Sequence, residues 1–183
     1  MKKLLLSILV SVSAFAADHD LYNNSAYLMG GYAVNSADSR LSNDFYWGVR
    51  YNFNRATVEG SIDVDAIQIA MDYTGDNTFQ NPSKGVVDGT TGIYRLGVNA
   101  LWYIENDSDY TPFILAGAGV QFFGNSAARD DNNALFAAIG GGVEYQLRGD
   151  FSVVGEIKDI YAGEKDNYVT TGIGIKYSFG QNY

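Results

Sequence analysis

Between residues 26 and 179 the chain repeats one motif: runs in which every second side chain is apolar, separated by polar segments rich in Gly, Asn and Asp. Period-two alternation is the mark of strands with unlike faces, because successive side chains on a pleated backbone point to opposite sides. In 45–53, Trp47, Val49, Tyr51 and Phe53 share one parity and Gly48, Arg50 and Asn52 the other. In 92–104, Tyr94, Leu96, Val98, Ala100 and Trp102 oppose Arg95, Gly97 and Asn99. In 168–179, Val169, Ile173, Ile175, Tyr177 and Phe179 oppose Gly172, Gly174 and Lys176. Similar runs at 26–34, 112–123, 134–147 and 151–161, with one more beginning after Asn54-Arg55, bring the expected strands to eight. A soluble barrel would turn its apolar parity inward. Here the other parity is rich in Gly and carries charges of both signs, which suits a narrow closed lumen with lipid outside. The predicted fold is all-β: an eight-stranded antiparallel up-and-down transmembrane β-barrel.

The third strand is the least regular. Val58, Gly60, Ile62 and Val64 alternate with Glu59, Ser61, Asp63 and Asp65, and beyond Ala66 the apolar parity moves to Ile67, Ile69 and Met71. A bulge or an extension of the strand above the membrane accounts for the slip. Residues 72–91, rich in Gly, Asn and Asp, read as the longest loop. Connections after the first, third, fifth and seventh strands read as longer than those after the second, fourth and sixth. Outer-membrane barrels have short periplasmic turns and longer external loops, so both termini are expected on the periplasmic side.

The N-terminus changes the picture of where the chain folds. Lys2 and Lys3 precede an apolar run from Leu4 to Val10, followed by Ala14-Phe15-Ala16. That order is a secretory signal peptide, expected to span 1–16 with cleavage after Ala16 and a barrel domain over 17–183. The apolar run is well short of the roughly 20 residues a spanning helix needs. Of 12 basic and 21 acidic residues, removal of Lys2 and Lys3 leaves 10 against 21, or −11. Such a charge repels nucleic-acid phosphates. With no Cys, disulfides and thiol chemistry are excluded.

Three stretches carry a family resemblance. Thr111-Pro112-Phe113-Ile114-Leu115-Ala116-Gly117-Ala118-Gly119-Val120, Gly140-Gly141-Gly142-Val143-Glu144-Tyr145 and Gly172-Ile173-Gly174-Ile175-Lys176-Tyr177-Ser178-Phe179 resemble the fifth, sixth and closing strands of the OmpA-type and OmpX-type small outer-membrane barrels. The resemblance implies localisation in the cell outer membrane and a last strand read by the barrel-assembly machinery. Tyr177, Phe179 and Tyr183 are the candidate assembly signal. The family's terminal aromatic usually ends the chain, whereas here Gly180-Gln181-Asn182-Tyr183 follows Phe179. Many relatives carry a peptidoglycan-binding domain after the barrel, and no such segment follows here, so an anchoring role is not carried over.

The candidate chemistry lies on the inward parity: Arg50, Glu59, Asp63, Asp65, Arg95, Glu144, Glu156, Lys158 and Lys176. Buried charges persist when paired, and Arg50 and Glu59, equidistant from the Asn54-Arg55 turn, are expected to face each other. Arg95, Asp65 and Lys158 are expected near the outer mouth. The cluster reads as a structural polar plug, with a gated, low-conductance pore as the alternative. Phe53, Trp102, Tyr145, Phe151 and Phe179 are expected to form a membrane-interface girdle at the periplasmic end. Catalysis is not expected. The only His is His19, just beyond the signal peptide, and Asp63 and Asp65 lack a base of suitable pKa beside a nucleophile. Asp107-Ser108-Asp109 and Asp130-Asp131 lack the spacing of a calcium loop, and Arg148-Gly149-Asp150 reads as ordinary turn chemistry. No cofactor or metal is expected. The expected partners are outer-membrane lipids and lipopolysaccharide, the assembly machinery, and a host or surface ligand at the external loops, with the barrel itself a monomer.

Overall fold

The computed structural model describes residues 24–35, 41–54, 64–81, 86–104, 106–125, 133–162 and 167–180. These form eight strands: β1 (Asn24–Asn35), β2 (Asp44–Asn54), β3 (Ala66–Asn81), β4 (Val86–Tyr103), β5 (Tyr110–Phe123), β6 (Asn133–Gln146), β7 (Phe151–Tyr161) and β8 (Asn167–Phe179). Each pairs antiparallel with its neighbours in sequence, and β1 pairs with β8 from Asn24↔Phe179 to Asn35↔Tyr168, closing the sheet into a barrel. Closure leaves no unpaired edge along this seam, the condition a sheet must meet in hydrocarbon.

The alternation read from the sequence is the alternation of faces. Leu28, Trp47, Val98, Ile139 and Ile173 stand out on the exterior, while Tyr27, Arg50, Asn99, Glu144 and Lys176 are buried inside. Apolar side chains also fill parts of the interior. Tyr27, Met29, Leu101, Phe113, Leu115 and Val154 pack together, and Phe136, Ala138, Ile160, Ala162 and Tyr168 form a second cluster. The barrel is packed along its length, as expected for a lumen only wide enough for side chains.

The third strand departs from expectation. It begins at Ala66, so there is no bulge there, and β2 pairs with 66–74 in the register Phe53↔Ile67, Arg50↔Ala70, Tyr46↔Thr74. This register puts Ile67, Ile69 and Met71 outside and Gln68, Ala70 and Asp72 inside. The alternative over 56–65 would have put Glu59, Asp63 and Asp65 inward and taken Asp72 away from Arg50 and Lys158. A register slip of one residue exchanges the two faces, so the lipid-facing set selects the pairing. Residues 55–63 lie outside the described residues.

The segment expected to be the longest loop is instead a hairpin. β3 and β4 run on past their other partners, whose pairings end at Thr74 and Ile93, so 75–81 and 86–92 extend the two strands beyond the barrel. A register shift between Thr74 and Asn77 inserts one extra residue opposite Gly92. The shift reverses facing: Asp72 and Thr74 are buried below it, Asn77 and Phe79 above it. The chain before β2 supports the extension through the bridge Leu41↔Phe79 and the bond from Ser42 N–H to Thr78 O at 2.9 Å. The expected alternation of connection lengths therefore fails, since 55–65 at the terminus-bearing end is longer than 82–85 at the other.

At the terminus-bearing end, Arg148-Gly149-Asp150 turns β6 into β7 with Gly149 at φ 66°, a left-handed conformation that favours glycine. Local turn geometry accounts for the tripeptide.

Ile173, 67% exposed at the middle of β8, tests which surface meets lipid. Ile173→Lys is expected to lower folding stability in bilayers by about 2–4 kcal/mol. An equilibrium unfolding titration in lipid vesicles that detects no loss would show that this face does not lie in hydrocarbon.

Candidate functional site: a charged plug in the lumen

Four charges from three strands meet at mid-lumen. Arg50 Nη1 lies 2.6 Å from Asp72 Oδ1, and Arg50 Nη2 lies 3.5 Å from Glu156 Oε1. Lys158 Nζ lies 3.5 Å from Asp72 Oδ2 and 3.4 Å from Glu156 Oε1. The result is a closed ring of alternating sign, with no side chain more than 6% exposed. Since β7 is four strands away from β3 in an eight-stranded ring, the contacts cross the lumen.

Local sequence explains how such large groups fit. Gly48 is the residue directly opposite Asp72. A Cβ on Gly48 would overlap Asp72 Oδ1 and lie 2.6 Å from Arg50 Nη1, so the missing side chain makes the space the ion pair occupies. On the far wall, Glu156 is flanked by Gly142 and Gly172, and Lys158 has Gly140 on one side. Those bare positions let two long side chains on one face of β7 reach across.

Towards the terminus-bearing end, Lys176 Nζ and Glu144 Oε2 form a second buried pair at 2.6 Å, with the ammonium 5.5 Å from the Tyr103 ring centroid. Beside it Gln68 joins four strands. It donates to Tyr27 Oη at 2.5 Å and to Asn52 Oδ1 at 3.1 Å, and accepts from Asn99 Nδ2 at 2.7 Å. Towards the other end, Arg95 donates to Thr74 Oγ1 and Tyr168 Oη at 2.8 and 2.9 Å.

Of the nine charges expected in the lumen, Arg50, Arg95, Glu144, Glu156, Lys158 and Lys176 are buried there. Glu59 and Asp63 lie outside the described residues. Asp65 is half-buried just before β3 at the terminus-bearing end, where its Oδ2 accepts the Tyr103 N–H at 2.7 Å. It is therefore at the opposite end from Arg95 and does not share a mouth with it. The expected Arg50–Glu59 facing pair is also corrected: Arg50 faces Ala70 and reaches diagonally to Asp72. Asp72 and Gln68 were missed because β3 was read one stretch too early. The signal was present, since an outward Ile67, Ile69, Met71 and Tyr73 place both of them inside.

Aromatic side chains mark both ends of the outer surface. At the terminus-bearing end Phe53, Tyr51, Phe179, Tyr177 and Phe151 form a run of ring contacts with centroids 4.7–6.1 Å apart. Tyr110 and Tyr145 add a pair at 4.6 Å, and Trp102 sits at the same level. At the other end, Tyr32 meets Phe45 at 5.2 Å and Tyr73 meets Trp47 and Tyr94 at 5.9 and 4.8 Å. Two such belts around an apolar band are what interfacial anchoring requires.

The profile of the outer membrane protein beta-barrel domain family matches residues 3–179. The chain belongs to that family. Among curated protein sequences, none matches it. Several solved barrels are similar in shape. Neisserial surface protein A is 11% identical with a TM-score of 0.66, over 86% of this chain and 97% of that one. The N-terminal barrel domain of Pseudomonas aeruginosa OprF is 17% identical with a TM-score of 0.51, over 86% and 98%. Ail, the attachment invasion locus protein of Yersinia pestis, is 13% identical with a TM-score of 0.51, over 87% and 100%. At these identities the likeness is one of fold. Within this outer membrane family barrel, Tyr177 and Phe179 lie on the closing strand β8 in the aromatic belt, whereas Tyr183 is outside the described residues.

Breaking a buried ion pair from one side leaves an uncompensated charge, typically at a cost of about 3–5 kcal/mol. Asp72→Asn is expected to show a loss of that order, and Gly48→Ala to destabilise by displacing the same pair. Glu59→Gln removes none of the partners of Arg50 and is expected to leave unfolding unchanged. Denaturant titrations of the three variants check this order, and equal stabilities would remove the ring from the account.

Proposed function

We propose that this chain is a non-catalytic structural and surface-display barrel of the outer membrane. In this reading residues 1–16 are a signal peptide cleaved after Ala16, and the monomeric barrel inserts with both termini in the periplasm. Tyr177, Phe179 and Tyr183 serve as the signal to the assembly machinery. The belts anchored by Phe53, Trp102, Tyr145, Phe151 and Phe179 on one side, and by Trp47 and Tyr94 on the other, contact lipid and lipopolysaccharide. The external loops, with the β3–β4 extension standing highest among the described strands, carry contacts to a host or surface ligand.

One observation carries the proposal: the lumen is crossed by the Arg50–Asp72–Lys158–Glu156 ring. An ion passing through would have to part pairs whose members are almost wholly buried, which supports a plug rather than a path. The naming of Ail as an attachment protein supports a surface role for a barrel of this shape.

The folded protein is expected to remain with the membrane after alkaline washing and to need detergent for extraction. In planar bilayers it is expected to pass no discrete current steps. Reproducible single-channel events that Asp72→Asn alters would overturn the plug in favour of the narrow pore.

A further inference from the structure

Arg95 is the one buried charge of the described lumen that the ion pairs leave over. Arg50, Lys158 and Lys176 are matched by Asp72, Glu144 and Glu156. Arg95 is only 3% exposed, and its partners are neutral: Thr74 Oγ1 at 2.8 Å, Tyr168 Oη at 2.9 Å and Gln121 Oε1 at 3.4 Å. Its guanidinium also lies 4.1 Å from the Tyr168 ring centroid. No carboxylate among the described residues stands within ion-pair distance of it. The carboxylate nearest in register, Asp72 directly opposite on β3, turns its oxygens to Arg50 and Lys158. A guanidinium cannot shed its charge by deprotonation, so burial without an ion pair of its own is expensive.

Gln121 supplies a second, independent observation. It is fully buried and directly opposite Arg95 in the β4–β5 register. Its Oε1 accepts from both Arg95 Nε and the Tyr168 hydroxyl. Arg95 Nε can only donate, which makes the amide atom facing it the oxygen. The other end, Nε2, is then a buried donor with no partner among the described residues. Arg95 Nη2 likewise donates to no described residue. Unspent donors therefore occur side by side on one wall, next to the apolar cluster of Phe136, Ala138 and Ile160 that packs with Tyr168.

We infer that Arg95 and Gln121 hold a monovalent inorganic anion of the size of chloride at the end of the lumen away from the termini. The anion supplies the missing negative charge and accepts the N–H groups that the protein leaves unspent. A single charge suffices, because the other six buried charges already cancel. The inference is independent of the proposed surface role, since an anion held in place strengthens a plug and is not a transported species.

The test uses the full mature chain folded in detergent micelles. The chloride-35 resonance of the buffer is expected to broaden with folded protein, and the broadening to fall on titration with bromide. Arg95→Gln and Gln121→Leu are expected to lose it, while Arg148→Gln, at an exposed turn, retains it. Heat-modifiable gel mobility establishes that each variant is folded. Should Arg95→Gln fail to fold, bromide-soaked crystals of the wild type decide the matter through an anomalous peak within hydrogen-bond distance of Arg95 and Gln121. Broadening that Gln121→Leu leaves intact, or a wild-type crystal with no such peak, would overturn the site.

Discussion

Every other feature of this molecule follows from closing a short sheet on itself in a medium that offers no hydrogen bonds. A strand edge facing hydrocarbon would leave its amide and carbonyl groups unmet, so β1 must pair with β8 over its whole length. With eight strands, closure makes a cylinder whose interior holds side chains and little else. That interior is too small for a large side chain at every inward position, and dry enough to make an unmatched charge costly. Glycine and charge balance are two responses to the same enclosure.

The mid-lumen ring shows how the two responses work together. Arg50 reaches Asp72 because Gly48, between them in space, has no side chain. Glu156 and Lys158 reach across from β7 because Gly140, Gly142 and Gly172 beside them are bare. Both Asp72 oxygens and Glu156 Oε1 then meet a cation, and the energetic cost of taking four charges out of water is offset by mutual attraction at low dielectric. The same glycines would look like weak points in a soluble sheet. Here they are clearances, and their value depends on what stands opposite. Function on this reading is divided by height: a sealed middle, two aromatic belts, and an extended β3–β4 hairpin beyond the barrel.

Much of this was legible along the chain. The outward set, from Leu28 through Trp47 to Ile173, followed directly from period two, and so did the burial of Arg50, Glu144 and Lys176. The third strand was not legible from its own residues. Val58–Val64 and Ile67–Tyr73 both alternate, and either could be written as a strand. Only the neighbours decide, because β2 and β4 must both be satisfied. The second aromatic belt was missed for a related reason. Tyr73 joins Trp47 to Tyr94 only once β3 is placed in its correct register.

The amino-acid order by itself determined that this is a barrel with an apolar exterior and a charged interior, because facing alternates with each residue whatever the strand's partners are. It did not determine which charges meet. Arg50 and Asp72 are 22 residues apart, and Arg50 and Glu156 are 106 apart. Their meeting depends on strand register and on a diameter that exists only after the ring has closed. Facing is a local property of the backbone, whereas pairing across a lumen belongs to the closed cylinder.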